Sequence, residues 1–533
     1  MDPLRITRHR GDYLWGSFYL EGADGMIETR DPATGVALDK VPWRLSAVDA
    51  AVRDARLAAP QWERTGLSSR VRAVHRIRDI LDARREPFAA VLSRELGKPL
   101  WEARLECIAG VRAVELLLEQ CRSLLTPQTH PTTRGSLQRR PMGTIAVLTP
   151  YPYPIFSPLQ LLLPCLVGGN TVIWKPSSYV PLVSQKLTEV FDAAQLPPGV
   201  LSMVQGPREP IGRALVSSEG IDMVVAAGSA ALGDVLRDND DERPIWVQTG
   251  GKGWAIVCED ADLDRTAYEV VSGAFLTAGQ RCNATSRLVV ERGVASELLK
   301  RVRALTATLN IAPPTDEDAF CGPLVDAHAR SVFQYHLDRY SEAGIEFAVE
   351  GGVEGGQLAE GMRRRGQAYV SPAIALLNGE FPNGVALPEE VEGPLLVMQV
   401  VEDADMAVES YNRHPYGLAA AVFTTSEQRF KHLAGGLRAG SVNWNRGTIV
   451  ASVRFPNAGL RRSGKGAEGN AALLLASTWA QSHLEVNTRF DPSHRVPGMP
   501  WPAEMGTVDP TTIVTPPFRP GDDTIILPPG PKE

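Results

Sequence analysis

From Gly143 onward the chain alternates between two textures, and this alternation narrows its fold more than any other feature. Short β-type runs, Thr144–Leu148, Thr171–Trp174, Leu201–Val204, Met223–Ala227 and Ile245–Val247, are separated by apolar-periodic stretches of helix length. A strand apolar along its whole length must be covered on both faces. Helices between such strands do the covering, so the pattern predicts a parallel sheet with helices on its faces. A second α/β stretch begins near Trp254 and runs to about Leu484. Upstream, residues 46–125 read as helical. Ser46 is placed to cap a run that carries Val48, Ala51, Val52 and Ala55 on one face. Ser69 through Leu81 repeats apolar residues at helical spacing, and Gly97-Lys98-Pro99 separates it from a helix over Trp101 to Leu118.

Length and charge limit the function classes. A chain of 533 residues with 44% hydrophobic and 22% charged residues can bury large cores and is not globally disordered. The net charge of −7 gives no reason to expect a nucleic-acid partner. The most apolar long stretch, Pro158 to Trp174, is broken by Pro164, Gly168, Gly169 and Asn170 and is too short to span a bilayer. Met1 to Arg10 lacks the apolar run of a signal peptide. Cys107, Cys121, Cys165, Cys258, Cys282 and Cys321 are scattered, with no C-x-x-C. That spacing suits a reducing cytoplasm and no metal site.

The last 43 residues, Asp491 to Glu533, hold 11 of the chain's 41 prolines. Such a segment cannot build a helix or a central strand of its own. It carries a loose echo, Thr512-Ile513-Val514-Thr515-Pro516-Pro517 and Thr524-Ile525-Ile526-Leu527-Pro528-Pro529. The plain reading is a linker-like tail lying on the body. The sharper one is an extended peptide that docks on a neighbouring subunit.

Three places could carry chemistry. Phe275 to Ala278 ends a helical run, Gly279 can take a left-handed C-cap, and Gln280-Arg281-Cys282-Asn283 turns into the β-run Leu288-Val289-Val290. A thiol there has Arg281 as a neighbouring cation to favour its thiolate; equally, it can be a small buried hydrophobe. Met223–Ala227 runs into Gly228-Ser229 and a helix start, which is either an ordinary βα turn or a phosphate seat. Pro176 ends the strand at Lys175, leaving that lysine at the carboxyl end, where α/β sheets bind ligands, or simply closing a strand in solvent.

Nine motifs occur in the order seen in aldehyde dehydrogenases: Asp31-Pro32-Ala33-Thr34-Gly35, Gly97-Lys98-Pro99, Gly168-Gly169-Asn170-Thr171, Lys175-Pro176-Ser177, Gly228-Ser229, Gly250-Gly251, Gly279-Gln280-Arg281-Cys282, Glu390-Val391-Glu392-Gly393-Pro394 and Asn443-Trp444-Asn445. The chain resembles that family from about residue 14 to 487. Ala278–Cys282, Val442–Asn445 and Gly469-Asn470 look most like its N-succinylglutamate 5-semialdehyde dehydrogenase branch. The resemblance implies two Rossmann-type α/β domains and a β oligomerisation element. Residues 1–121 and 142–251 would bind the dinucleotide and 252–452 would be catalytic. Residues 122–141 and 470–490 would join subunits into a homodimer or homotetramer, with 491–533 as the tail. It further implies that Cys282 attacks an aldehyde to give a thiohemiacetal and then a thioester, with NAD or NADP as acceptor. Lys175 would touch the adenosine ribose, Gly228 and Ser229 would lie under the pyrophosphate, and Glu390 would hold the nicotinamide ribose. The Cys282 N–H would form half of an oxyanion hole.

Four departures accompany the resemblance. Gln248-Thr249-Gly250-Gly251 stands where the family has Glu-Leu-Gly-Gly, so an amide that cannot accept a proton replaces the general base. Pro152, within Pro150-Tyr151-Pro152-Tyr153-Pro154, stands at the asparagine whose side-chain N–H completes the oxyanion hole. Loss of such a donor costs roughly 3–4 kcal/mol of transition-state stabilisation. Asn457 to Gly464 departs from the family's glycine-rich pattern, which puts that loop's close packing in question. Ser178 replaces the glutamate of NAD-preferring members and removes a repulsion against a 2′-phosphate, so NADP is tolerated. Three functions compete: an NAD(P)-dependent semialdehyde dehydrogenase, an acylating enzyme that passes the acyl group to coenzyme A, and a pseudoenzyme that binds or assembles. Arg281 and Arg446 are candidate substrate-carboxylate ligands, each with the alternative of a structural or solvated charge.

Overall fold

The computed structural model describes residues 8–130, 135–237, 242–353, 358–364, 366–452, 454–455, 457–465, 467–468, 470–484, 498–500, 502 and 505. Nearly all of the proline-rich tail, with both halves of its echo, lies outside the described residues. No helix among the described residues is long and apolar enough to cross a membrane.

Two large sheets dominate the molecule. The first has eight strands in the order Ser17–Tyr19, Asp12–Leu14, Leu201–Met203, Thr171–Lys175, Thr144–Leu148, Met223–Gly228, Ile245–Thr249 and Gly464–Lys465. From Leu201–Met203 through Ile245–Thr249 the strands are parallel, and antiparallel strands flank them on both sides. Alternate residues leave a strand on opposite faces. Thus Ile145, Val147, Val172 and Trp174 join one core with helices Leu67–Ala83, Leu100–Leu125, Phe156–Gly168 and Pro181–Ala193. Ala146, Leu148 and Ile173 join the other, under helix Ser46–Arg64. Burial on both faces is why these strands read as unbroken apolar runs.

The second sheet has seven strands in the order Glu346–Val349, Ala373–Leu377, Leu395–Val401, Thr285–Glu291, Gly253–Val257, Ala419–Phe423 and Ser441–Trp444. All pairings but the first are parallel. The chain crosses from the first sheet to the second through Gly250, Gly251 and Lys252 alone. Gly251 (φ 130°) fits the crossing because a Cβ there would lie 2.5 Å from Ser463 Oγ and 2.7 Å from Tyr416 Cδ1. After Trp444 the chain returns to the first sheet, so the second α/β stretch closes well before Leu484.

Other boundaries also differ from the sequence reading. Helix Ser46–Arg64 is entered through Leu45, already helical in φ and ψ, and no side chain caps it, Ser46 included. Asp24 instead accepts the Leu45 N–H at 2.7 Å. The helix expected to stop at Leu118 continues to Leu125, so the hairpin begins later, at Gln128–His130 and Gly135–Pro141. Residues Asn470–Ala476 are a helix packed on Phe156–Gly168, and only Thr478–Leu484 is a strand. That strand lies antiparallel on Gly135–Pro141, from Thr478 opposite Pro141 to Leu484 opposite Gly135.

Candidate active site

The carboxyl ends of the first sheet's parallel strands open onto a cleft of about 630 Å³. Its wall is built from the loops after Leu148, Lys175, Gly228 and Thr249, together with the 279–282 turn and the 389–392 segment. Cys282, Gln248, Pro152, Lys175, Ser178, Gly228, Ser229 and Glu390 all line it. These residues are spread over 239 sequence positions, and parallel strand order gathers them at one rim.

Lys175 sits at one end of the cleft. It is buried, its Nζ donates to Pro176 O at 2.8 Å, and burial pushes its ammonium down to about 8. Ser178 and the exposed Arg208 line the same end. Gly228 closes its strand, Ser229 is exposed, and helix Ala230–Arg237 starts directly after. A buried ammonium, a serine and a glycine turn at a helix N-terminus suit the ribose and pyrophosphate of a dinucleotide.

Cys282 is exposed to the cleft, whereas the other five cysteines are buried. Its turn is formed differently from the expected Gly279 C-cap. The helix ends at Phe275, Leu276 is its cap residue, and Thr277 (φ 58°), Ala278 (φ 51°) and Gly279 (φ 72°) follow in left-handed conformation. Two non-glycine residues in that region cost about 1–3 kcal/mol each, so neighbours must hold them. Glu102 does so, accepting a hydrogen bond from the Thr277 hydroxyl and pairing with Arg281 at 2.8 Å. Arg281 Nε also donates to Thr277 Oγ1 at 2.8 Å. The cation expected to serve the thiol is therefore spent mainly on a buried carboxylate. Cys282 O accepts the Lys252 N–H at 2.9 Å, which ties the thiol turn to the crossing between the sheets.

Four residues along the same helix, Glu106 pairs with Lys98 at 2.6 Å. Its other oxygen accepts the N–H groups of Ile155 and Phe156, at 2.9 and 3.3 Å, at the end of the Tyr151–Pro154 loop. Lys98 Nζ lies 3.9 Å from the Tyr153 ring centroid. One helical face thus fixes both the thiol turn and the loop that carries Pro152. No motif marks these acids in the sequence; the one signal for them is two glutamates at i, i+4 within an apolar helix, a pattern of buried, paired charges.

Gln248 is buried, and among the described residues its Oε1 has no hydrogen-bond partner. Val247 and Gln248 pair with Lys465 and Gly464. Thr249 N donates to Ser463 O at 2.9 Å, and its hydroxyl donates to Arg462 O. A Cβ on Gly459 would lie 2.2 Å from Ser463 O. The 459–464 loop therefore packs closely against the site despite its unusual sequence, because the glycines at its tightest approaches, Gly459 and Gly464, are present.

The 389–392 segment brings three acids to the cleft. Glu389 is fully buried, with Arg287 Nε and Trp254 Nε1 both 2.8 Å from Oε1 and His414 Nε2 3.2 Å from Oε2. Glu390 Oε1 accepts from Tyr416 OH at 2.8 Å and Arg462 at 3.1 Å. Glu392 Oε2 accepts from Tyr151 OH at 2.7 Å. Arg446 is exposed and does not line the cleft.

Two largely parallel sheets joined at a short crossing, with an exposed thiol in a cleft at the carboxyl ends of the strands, define a two-domain α/β architecture with one enzyme-like site. The chain belongs to the aldehyde dehydrogenase family, whose model matches residues 19–482. It is 33% identical to an N-succinylglutamate 5-semialdehyde dehydrogenase of Caulobacter sp. (strain K31), covering 83% of this chain and 90% of that protein. The Escherichia coli O6:H1 protein of the same name is 30% identical over 92% of this chain and 99% of its own. Among solved structures, the NADP-dependent glyceraldehyde-3-phosphate dehydrogenase of Bacillus halodurans C-125, complexed with NADP, is 27% identical with a TM-score of 0.82, covering 90% of this chain and 99% of that one. A Mycobacterium tuberculosis aldehyde dehydrogenase complexed with NAD+ is 27% identical with a TM-score of 0.83, over 90% and 99%.

Proposed function

We propose that the protein oxidises a semialdehyde, with NAD or NADP as acceptor, through a thiohemiacetal and thioester on Cys282. The observation that carries this is an exposed cysteine in the same cleft as Lys175, Ser178, Gly228, Ser229 and Glu390. The thiolate attacks the carbonyl carbon, and the Cys282 N–H faces the oxygen as it gains charge. The bound dinucleotide would supply the hydride acceptor. Lys175 and Ser178 hold its adenosine end and Glu390 its other ribose. The names of the two curated relatives favour a dicarboxylate semialdehyde. Pro152 offers no donor, so the carbonyl oxygen relies on backbone N–H groups. The exposed strand Thr478–Leu484, with Trp479 and Leu484 at the surface, supports a homodimer or homotetramer.

The test follows nicotinamide absorbance after mixing with a semialdehyde and NAD or NADP, with and without coenzyme A. Steady turnover without coenzyme A supports the proposal. Turnover that requires it assigns an acylating enzyme, and neither burst nor turnover assigns a binding or assembly role.

Gln248→Glu is expected to speed steady turnover about tenfold or more, leaving the first-turnover burst unchanged, because a buried carboxylate there is tuned toward a neutral-pH base. Single-turnover and steady-state traces measured side by side check it, and an unchanged steady rate would mean that the missing base at 248 does not limit turnover.

For the cofactor, Ser178 and Arg208 line the cleft beside Lys175, which favours tolerance of NADP beside NAD. Ser178→Glu is expected to weaken NADP binding by about tenfold or more through like-charge repulsion, with a smaller effect on NAD. Calorimetric titration of both nucleotides decides the matter.

A further inference from the structure

We propose that Glu392 is the base that activates water to release the acyl group from Cys282. This rests on the thioester reading above, with Gln248 unable to accept a proton. Among the described residues lining the cleft there is no histidine and no aspartate, and the only carboxylates are Glu389, Glu390 and Glu392. Glu389 is wholly enclosed by Arg287, Trp254 and His414. Glu390 is held as an ion pair, its Oε1 taking both the Tyr416 hydroxyl and Arg462, and it is the residue assigned above to the nicotinamide ribose. Glu392 is exposed to the cleft, and only its Oε2 is engaged, by the Tyr151 hydroxyl. Its Oε1 faces no protein donor among the described residues, which leaves a lone pair for water.

The backbone that carries the carboxylate also packs on the turn that carries the thiol. Gly279, three residues before Cys282, lies against the next residues after Glu392. A Cβ on Gly279 would fall 2.2 Å from Gly393 O and 2.8 Å from Pro394 Cα. Lys252 Nζ donates to Val391 O at 2.7 Å and to Gly393 O at 3.2 Å, gripping the backbone on both sides of Glu392. The same residue's N–H holds Cys282 O. Lys252 therefore fixes the spacing between acid and thiol, and its ammonium, committed to two carbonyls, is not itself the base. Tyr151 is a positioning residue: its hydroxyl lies between Glu392 Oε2 at 2.7 Å and Gln280 Oε1 at 3.3 Å.

In the step, the water oxygen bonds to the thioester carbonyl carbon while one water proton passes to Glu392 Oε1. The tetrahedral adduct then collapses. The C–S bond breaks, its electron pair leaves on the Cys282 sulfur, and the product carboxylic acid loses its remaining proton to solvent. Glu392 returns its proton to bulk water, and no oxidant or reductant is consumed.

The test uses the full-length protein and p-nitrophenyl acetate, an activated ester that acylates a thiolate without any cofactor. Wild type should show a nitrophenolate burst followed by steady hydrolysis. Glu392→Gln should keep the burst and lose the steady phase by about 10²-fold or more. Its residual rate should rise in proportion to hydroxide, and added hydroxylamine, which needs no base, should restore release. Tyr151→Phe keeps the ring and should cause a smaller loss with a shifted pH profile. Glu392→Gln/Gln248→Glu should recover steady hydrolysis. An unchanged steady rate in Glu392→Gln, or a raised KM for NAD with kcat intact, overturns the base role alone. Absence of any burst in wild type overturns the thioester reading itself.

Discussion

Cys282→Ala is expected to abolish both the hydride-transfer burst and steady aldehyde oxidation, by at least about 10⁴-fold, while leaving the fold untouched. The size follows from chemistry: without the sulfur there is no covalent adduct, and what remains is binding. The harmlessness to the fold follows from position, because Cys282 is exposed and such a truncation changes stability within about ±0.5 kcal/mol. Burial separates this thiol from its fellows. Burial pushes the thiols of Cys107, Cys165, Cys258 and Cys321 up to about 12. Brief iodoacetamide treatment near neutral pH should therefore label Cys282 first, read by peptide mass spectrometry, and inactivation should track that single modification. Loss of activity with Cys282 unlabelled, or activity surviving in the alanine variant, would remove the sulfur from the mechanism.

Glu389→Ala carries the largest expected loss of stability, about 3–5 kcal/mol, because it strands a buried guanidinium. Arg287 and Glu389 are 7% and 0% exposed in their side chains, with 2.8 Å between Nε and Oε1. Ser286 Oγ lies 3.2 Å from the same oxygen. Burial alone would raise the Glu389 carboxyl, but Arg287 and His414 outweigh it and hold it well below the usual carboxylate range. A carboxylate depressed by folding stabilises above its unfolded pKa and loses that contribution as pH falls toward the folded one. The stability gap between wild type and Glu389→Ala should thus be flat from about pH 6 to 8 and should narrow in strong acid. Urea unfolding at several pH values checks both size and slope. A loss under about 1 kcal/mol would mean that the cluster is solvated in solution. Glu389 also anchors the loop that carries Glu390 and Glu392, so the variant should lose activity beyond what its folded fraction explains.

The sheet was legible because both of its faces are buried. Thr144–Leu148 and Thr171–Lys175 are buried along their whole length, since helices cover each side, and their apolar middles record that directly. The cleft residues were legible because motif order and parallel connectivity agree. What escaped was set by contacts distant in sequence. Glu102 meets Arg281 across 179 positions and takes up most of a cation that also interacts with Cys282. Glu106 shapes the Pro152 loop from 49 positions away. Ser46 failed as a cap because Leu45 is already helical, a matter of how the preceding strand delivers the chain. Glu392 sits in the Glu390–Pro394 motif, but only the enclosure of Glu389 and the pairing of Glu390 with Arg462, contacts distant in sequence, single it out.

The crossing at Gly250, Gly251 and Lys252 has a further bearing on how such a molecule can diversify. Ser463 and Tyr416 crowd its middle glycine, and Lys252 grips both the sulfur-bearing turn and the acidic segment through its main-chain and side-chain nitrogens. It works as an axle, where lengthening by even one residue would displace both reactive partners at once. New substrate preferences must therefore come from the rim, from segments such as Tyr151–Pro154, which can be exchanged while the axle keeps its bearings.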